Sequence, residues 1–263
     1  MSEYETISVE INHRGVARIT LNRPQAHNAI NGQMIAELSR AALELGENEQ
    51  VRIVILAGLG KSFCAGGDLV WMQEQANKDR AGKMRQSKAL AEMLVLLDQL
   101  PKPLIGRVQG AAFGGGVGMM AVCDIVVASN QARFALSETR LGLIPATIAP
   151  FVIRKIGAGF ARALFITARG FDAEFARHIA LATHICPQQE LDQLVEKEVA
   201  AALACAPGAM AAAKSLCRQL AGVDPSSFAD QTASALADRW ESAEAQAGIK
   251  AFFDRTRAPW VVD

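Results

Sequence analysis

Glycine crowds one stretch of this chain, Gly110-Ala111-Ala112-Phe113-Gly114-Gly115-Gly116, just ahead of Val117-Gly118-Met119-Met120-Ala121-Val122-Cys123-Asp124. Without a Cβ, each glycine lets a ligand rest directly on the main-chain N–H. Where such a stretch opens a helix, the N–H groups are unpaired and sit at the positive end of the helix dipole. A related segment comes earlier, Ser62-Phe63-Cys64-Ala65-Gly66-Gly67-Asp68-Leu69. Two sets of amides converging on one oxygen would hold an oxyanion, the charge that develops when a carbonyl compound is attacked or deprotonated.

Other chemistries fit less well. Gly60-Lys61-Ser62 has the ending of a P-loop, but Ile55 stands where its first glycine belongs. Gly114 and Gly116 begin a dinucleotide-binding pattern that Met119 breaks. No G-x-S-x-G and no H-E-x-x-H occurs, and His13, His27, His178 and His184 make no metal spacing, so no metal site is expected. Cys64 could be a nucleophile, but local spacing places no histidine beside it, so it reads as a packed small residue.

The elements that must hold these segments follow from pattern. Ile7, Val9 and Ile11 alternate with polar residues, and Val16, Ile19 and Leu21 follow Asn12-His13-Arg14-Gly15, which predicts a hairpin. Asn31 caps a helix carrying Ile35, Leu38, Ala42 and Leu45, with Gly46 as its stop. A buried strand spans 51–57. The polar stretch 73–85 reads as a mobile helix or loop, and a firmer helix covers 86–99. Strand 104–108, helix 115–122 and strand 125–128 come next, a repeating β-β-α order that predicts an α/β fold with helices covering sheets. Beyond Pro145, helices are expected at 148–156, 159–168, 172–181, 188–205, 208–220 and 226–246, with a short strand at 183–186. The last two are Ala-rich and need a further surface, for which a neighbouring subunit is the natural candidate.

Composition narrows the class. The 263 residues are 51% hydrophobic and 21% charged, enough for a substantial core. Lys plus Arg and Asp plus Glu each number 27, which argues against nucleic-acid binding. The five cysteines include no C-x-x-C pair, which fits a reducing, cytoplasmic compartment. The acidic start, Met1-Ser2-Glu3-Tyr4-Glu5, has no apolar signal region, and no run is long enough for a bilayer.

Taken together, five segments resemble the enoyl-CoA hydratase/isomerase (crotonase) family over nearly the whole chain. Arg23-Pro24-Gln25-Ala26-His27-Asn28-Ala29-Ile30 is similar to its early CoA-binding loop. Residues 62–69 and 110–124 resemble its two oxyanion segments. Phe134-Ala135-Leu136-Ser137-Glu138-Thr139-Arg140-Leu141-Gly142-Leu143-Ile144-Pro145 resembles the segment bearing a catalytic glutamate, and Gly248-Ile249-Lys250-Ala251-Phe252-Phe253 its C-terminal signature.

The resemblance implies a crotonase-like β-β-α superhelix over residues 1–195 and a helical part, 196–263, that packs in a trimer or a dimer of trimers. It implies an acyl-CoA thioester substrate, no cofactor beyond that CoA, and no membrane partner. The thioester oxygen would be held by the N–H groups of Ala65 and Gly115. Glu138 would move the proton. A first glutamate, usual in hydratases of this family, maps onto Gly118, so this chain departs from the two-carboxylate pattern. The CoA would meet Gln25, Ala26 and Asn28, near Ala65, Gly67, Asp68 and Leu69, with Phe252 and Arg255 from a neighbouring subunit. The segments 68–72, 113–118 and 141–150 look most like hydratases of branched, glutaconyl-type substrates, such as the 3-methylglutaconyl-CoA of leucine breakdown. Arg140, Lys83 and Arg85 are candidates to hold the extra carboxylate, and Trp71 and Met72 to wall the acyl pocket. An enoyl-CoA Δ-isomerase using one glutamate, and a binder that does not turn its acyl-CoA over, stay open as alternatives.

Overall fold

The computed structural model describes residues 4–220 and 228–261. In chain order its strands and helices are β1 (Ile7–Ile11), β2 (Val16–Leu21), α1 (Gly32–Glu47), β3 (Ile53–Gly58), β4 (Ser62–Cys64), α2 (Leu69–Asn77), α3 (Arg80–Gln99), β5 (Leu104–Val108), β6 (Ala111–Phe113), α4 (Gly115–Val122), β7 (Ile125–Ser129), β8 (Arg133–Ala135), α5 (Ala149–Thr167), β9 (Phe171–Asp172), α6 (Ala173–His178), β10 (His184–Cys186), α7 (Leu191–Leu203), α8 (Pro207–Leu220), α9 (Ala229–Glu241) and α10 (Ala243–Asp254).

Two sheets run side by side. The larger has the order β1-β2-β3-β5-β7-β10, and the smaller β4-β6-β8-β9. In the large sheet only β1 and β2 pair antiparallel; β2-β3-β5-β7-β10 is parallel throughout. The first five residues of β3, Ile53-Val54-Ile55-Leu56-Ala57, are all buried, as a strand covered on both faces must be. Helices α1, α3 and α4 cover one side around Leu38, Leu94 and Met119, while α7 covers the other with Leu191, Val195, Val199 and Leu203 against Ile53, Ile105 and Val127.

Each β-β-α unit places one strand in each sheet. β3 turns into β4, β5 into β6, and β7 into β8. Because β4 pairs parallel with β6, and β6 with β8, the ends of these short strands lie together. The two glycine-rich segments are thus brought side by side at one edge of the fold.

Several expectations are corrected. The three-residue strands β4, β6 and β8 were not foreseen, since so short a run carries no period. Gly46 does not end α1, which runs to Glu47; a Cβ at Gly46 would come within 3.4 Å of Pro101 Cδ, so the glycine serves a close approach to the turn after α3. The stretch 73–85, expected as a helix or loop, holds the end of α2, a break at Lys78 and Asp79, and the start of α3. Asp79 accepts from the Gly82 N–H at 2.7 Å and starts α3 at Arg80, six residues before the expected 86. The helices expected at 148–156 and 159–168 form one kinked helix, α5, broken at Gly157. The helix expected at 172–181 stops at His178, and the one expected from 188 begins as a short 3-10 turn before α7. The helix expected over 226–246 divides at Ser242, whose Oγ accepts from the Ala245 N–H and caps α10; positions 226–227 lie outside the described residues. The boundary drawn at residue 195 falls inside α7, so the core continues to Leu203.

Helices α8 and α9 bury no residue fully, and α10 buries Ala251 alone. Among the described residues no single helix is long and apolar enough to cross a membrane.

Phe63 of β4 is fully buried beneath the candidate site. Phe63→Ala is expected to lower the unfolding free energy by about 3–5 kcal/mol, as cavities left by large core side chains do. Urea unfolding would measure it, and an unchanged midpoint would contradict the packing described.

Candidate active site

The first glycine-rich loop is shaped by a pairing with Ile30. The Ile30 N–H donates to the Gly66 carbonyl at 2.7 Å, and the Asp68 N–H donates to the Ile30 carbonyl at 2.9 Å. Ile30 and Gly67 thus form an isolated parallel bridge. In such a bridge one residue uses both of its main-chain groups and its partner uses neither. Gly67 is that partner. Its N–H takes no acceptor among the described residues.

This corrects the expectation for Ala65. The Ala65 N–H donates to the His27 carbonyl at 3.0 Å, so it is committed inside the protein and cannot meet a ligand oxygen. Gly66 and Gly67 both have an N–H without an acceptor among the described residues, and by the bridge pairing it is that of Gly67 that faces away from Ile30.

The second loop ends at the start of α4. Gly114 has φ +47°, a conformation that favours glycine, and its N–H donates to the Ala135 carbonyl at 2.9 Å. Gly115 follows as the first residue of α4, with no acceptor for its N–H among the described residues. The loops touch closely. A Cβ on Gly116 would stand 2.4 Å from the Cys64 carbonyl oxygen, and one on Gly115 would stand 2.6 Å from Ile30 Cδ1. Ile30 therefore meets both glycines, Gly67 by its backbone and Gly115 by its side chain.

Glu138 opens a 3-10 turn, Glu138–Leu141, and its carboxyl lies over the same loop. A Cβ on Gly114 would stand 3.0 Å from Glu138 Oε1. Oε2 is buried and has no hydrogen-bond partner among the described residues. Burial pushes the Glu138 carboxyl above its ordinary value, and the hydrogen bond from its own N–H offsets only part of this. No ion pair joins it to Arg140 among the described residues. Gly118 is buried one turn further along α4. There a Cβ would stand 2.5 Å from Ile148 Cγ2, so isoleucine fills the space in front of this position.

Other expected residues have mixed fates. Asn28 is fully buried with its side chain satisfied. Its Nδ2 donates to the Leu59 and Ser62 carbonyls, both at 2.9 Å, and its Oδ1 accepts from the Arg23 N–H. That corrects its expected contact with a ligand, because it braces the loop from within. Asp68 caps α2 through Val70 and Trp71 and pairs with Arg23 at 2.8 Å. Burial pushes its carboxyl up, but the Trp71 N–H and the Arg23 guanidinium outweigh this and hold it below its ordinary value. Gln25 and Leu69 are exposed and Ala26 is half-buried on the outer side of these loops. Met72 packs over Gly67, 3.1 Å from where a Cβ would be. Trp71 lines an open cavity of about 540 Å³ together with Arg23, Asp68 and Lys78. Lys83 lines another, of about 600 Å³, with Arg80 and Met84; Arg85 and Arg140 line neither. Phe252 and Arg255 are exposed at the end of α10. Cys64 is buried, and burial pushes its thiol up to about 12, which removes it as a nucleophile and fits a packed role. Among the described residues no group of His, Cys, Asp and Glu is placed to hold a metal ion.

The arrangement is chemically specific. Two unused main-chain donors flank Ile30, and one buried carboxyl stands beside them. Ile30 and Ile148 were missed by the sequence reading, because their importance lies in contacts with glycines far along the chain.

Known proteins share this frame. The sequence profile of the enoyl-CoA hydratase/isomerase family matches residues 11–262. Enoyl-CoA hydratase ACTT6 of Alternaria alternata is 34% identical over 185 residues, which make up 70% of this chain and 60%, less than two thirds, of that protein. The crystal structure of an enoyl-CoA hydratase from Shewanella pealeana has a TM-score of 0.95 at 38% identity, covering 98% of this chain and 97% of that one. Pseudomonas aeruginosa AtuE has a TM-score of 0.94 at 34% identity, covering 98% of this chain and all of that one (100%). The β-β-α frame, the paired glycine loops and these matches make the chain a member of the enoyl-CoA hydratase/isomerase family.

Proposed function

We propose that the chain is an enoyl-CoA hydratase, a hydro-lyase adding water across the C2–C3 double bond of a 2-enoyl-CoA thioester. The acyl group we favour is branched and glutaconyl-type, such as 3-methylglutaconyl. What supports this reading is that the Gly67 and Gly115 N–H groups have no acceptor among the described residues, that Ile30 contacts both loops, and that the buried Glu138 carboxyl lies against Gly114.

Gly67 takes the place first expected of Ala65. The thioester oxygen lies between the Gly67 and Gly115 donors. Water oxygen bonds to C3, and the C2–C3 π electrons move so that negative charge gathers on the thioester oxygen. Glu138 gives its proton to C2 and regains one from the water. Each preorganised donor contributes on the order of 3–4 kcal/mol toward the charged state. A raised carboxyl is suited to giving a proton near neutral pH. No cofactor beyond the CoA of the substrate is invoked. The CoA runs past Gln25, Ala26, Asp68 and Leu69. The scarcely buried α8, α9 and α10, with Phe252 and Arg255, support a homotrimer or a dimer of trimers.

One observation favours a second reading. With Ile148 against Gly118, the site holds Glu138 without a second carboxylate from that position. One base is enough for a Δ-isomerase that carries a proton between C2 and C4.

Purified protein should bleach the conjugated enoyl-thioester absorbance of 3-methylglutaconyl-CoA faster than that of crotonyl-CoA, with a product heavier by one water. An unchanged mass with a moved double bond would select the isomerase, and no reaction with any enoyl-CoA would defeat both. Glu138→Gln should lower kcat by about 10²–10⁴-fold.

A pH effect follows from the burial of Glu138. Its folded-state pKa lies above the unfolded one, so its contribution to stability is full at low pH and is lost as pH rises through the raised value. Relative to Glu138→Gln, the wild type should therefore lose thermal stability as pH rises above the ordinary carboxyl value of about 4, until the raised value has been passed. Parallel melting curves for the two proteins across that range would speak against a raised pKa.

A further inference from the structure

Glu138 rides on a segment fastened to α4 at both ends. At the near end, the Gly114 N–H holds the Ala135 carbonyl at 2.9 Å. At the far end, Ile148 lies against Gly118, where a Cβ would stand 2.5 Å from Ile148 Cγ2 and 3.0 Å from its Cβ. Gly114 and Gly118 are one turn apart on one face of α4, joined by the Gly118 N–H to the Gly114 carbonyl at 3.1 Å. Between the two fastenings Leu136 and Pro145 are buried and the Thr139 Oγ1 donates to the Phe165 carbonyl of α5 at 2.8 Å, while the apolar side chains just beyond Arg140 face outward. Leu141, Leu143 and Ile144 are 63%, 53% and 74% exposed, whereas Ile148 is 3% exposed.

The links inside the segment run toward Ile148. The Leu143 N–H donates to the Glu138 carbonyl at 3.1 Å, and the Ala149 N–H donates to the Pro145 carbonyl at 2.9 Å. Ile148 itself caps α5, its carbonyl accepting from the Val152 N–H at 3.0 Å. The Glu138 Oε2 atom, in contrast, has no partner among the described residues to fix it. The depth of the carboxyl is set by the backbone that bears it.

We propose that Ile148 is a positioning residue for Glu138: bedded in the space that Gly118 leaves open, it sets how deep the 135–148 segment lies on α4, and so where the carboxyl stands above Gly115. The proposal rests on reading Glu138 as the proton-transfer group. Ile148 touches no reacting atom. Its effect passes through the main chain. A shift of about 1 Å in a proton-transfer group can lower a rate on the order of 10²-fold.

Steady-state kinetics of Ile148→Val, Ile148→Ala, Gly118→Ala and the double Gly118→Ala/Ile148→Ala variant test this. Valine keeps Cγ2, so Ile148→Val should stay within about twofold of wild type. Ile148→Ala and Gly118→Ala should each lose about tenfold or more in kcat with KM within about twofold, and the double variant should lose less than the product of the two. In a Glu138→Gln background, Ile148→Ala should change kcat no further. A wild-type kcat in Ile148→Ala, or an equal loss with and without Glu138, overturns the proposal.

If Ile148→Ala does not fold, Gly118→Ala displaces the same contact from the other side and carries the same comparison. If the wild type turns over no enoyl-CoA, the proposed function fails, and the positioning role is read from the Glu138 carboxyl by carbon-13 NMR. Its titration midpoint should move in Ile148→Ala and stay in Ile148→Val. A midpoint unmoved in both would overturn the role independently of activity.

Discussion

Ile30 does three things at once, and the candidate site depends on all of them. Its N–H and carbonyl clasp Gly66 and Asp68, and its side chain meets Gly115. Because Ile30 uses both of its main-chain groups in the bridge, Gly67 uses neither and is left with a donor facing outward. A buried unpaired N–H is costly, so such a donor persists only where a ligand or water can reach it. The clasp therefore both builds the loop and leaves it incomplete in one chosen direction. The braces behind it, Asn28 on the Leu59 and Ser62 carbonyls and Arg23 on Asp68, are internal and satisfied.

The carboxyl is held on a different principle. The Gly67 and Gly115 donors are fixed by the backbone, whereas Glu138 has one buried oxygen with no partner among the described residues. Its pKa rises because the carboxyl is buried, and low polarity around it strengthens the attraction between main-chain donors and any charge formed beside them. Glycine on the facing side of α4 is what lets Glu138, Ile30 and Ile148 come so near to the helix backbone.

Much of this frame was legible in the residues. The long apolar strands β2, β3, β5 and β7 announce themselves through unbroken or alternating hydrophobic runs, and the Asn31 cap is where its side-chain chemistry places it. The short strands of the small sheet were not legible, because two or three residues carry no period, although the equally short β10 was expected at 183–186. The choice between Ala65 and Gly67 was not legible either. Neighbouring N–H groups in one loop look alike in sequence, and only the pairing partners, His27 and Ile30, decide which one is used up. Asn28 misled for a related reason. A polar side chain in a loop suggests an outward contact, yet here all of its groups turn inward. The opposition of Ile148 and Gly118 joins two segments through space and leaves no local trace.

The small sheet has a consequence for how the candidate site keeps its shape. Its pairs, Ser62 with Ala111 and Ala112 with Phe134, join positions distant along the chain through strands of three residues. Such pairs gain little by themselves and must overcome the entropy of closing a long loop. They lean on the large parallel sheet, which aligns β3, β5 and β7 and brings their ends together. The shape of the candidate site is thus tied to the alignment of the large sheet, because the short strands that carry its loops gain too little to hold their register alone.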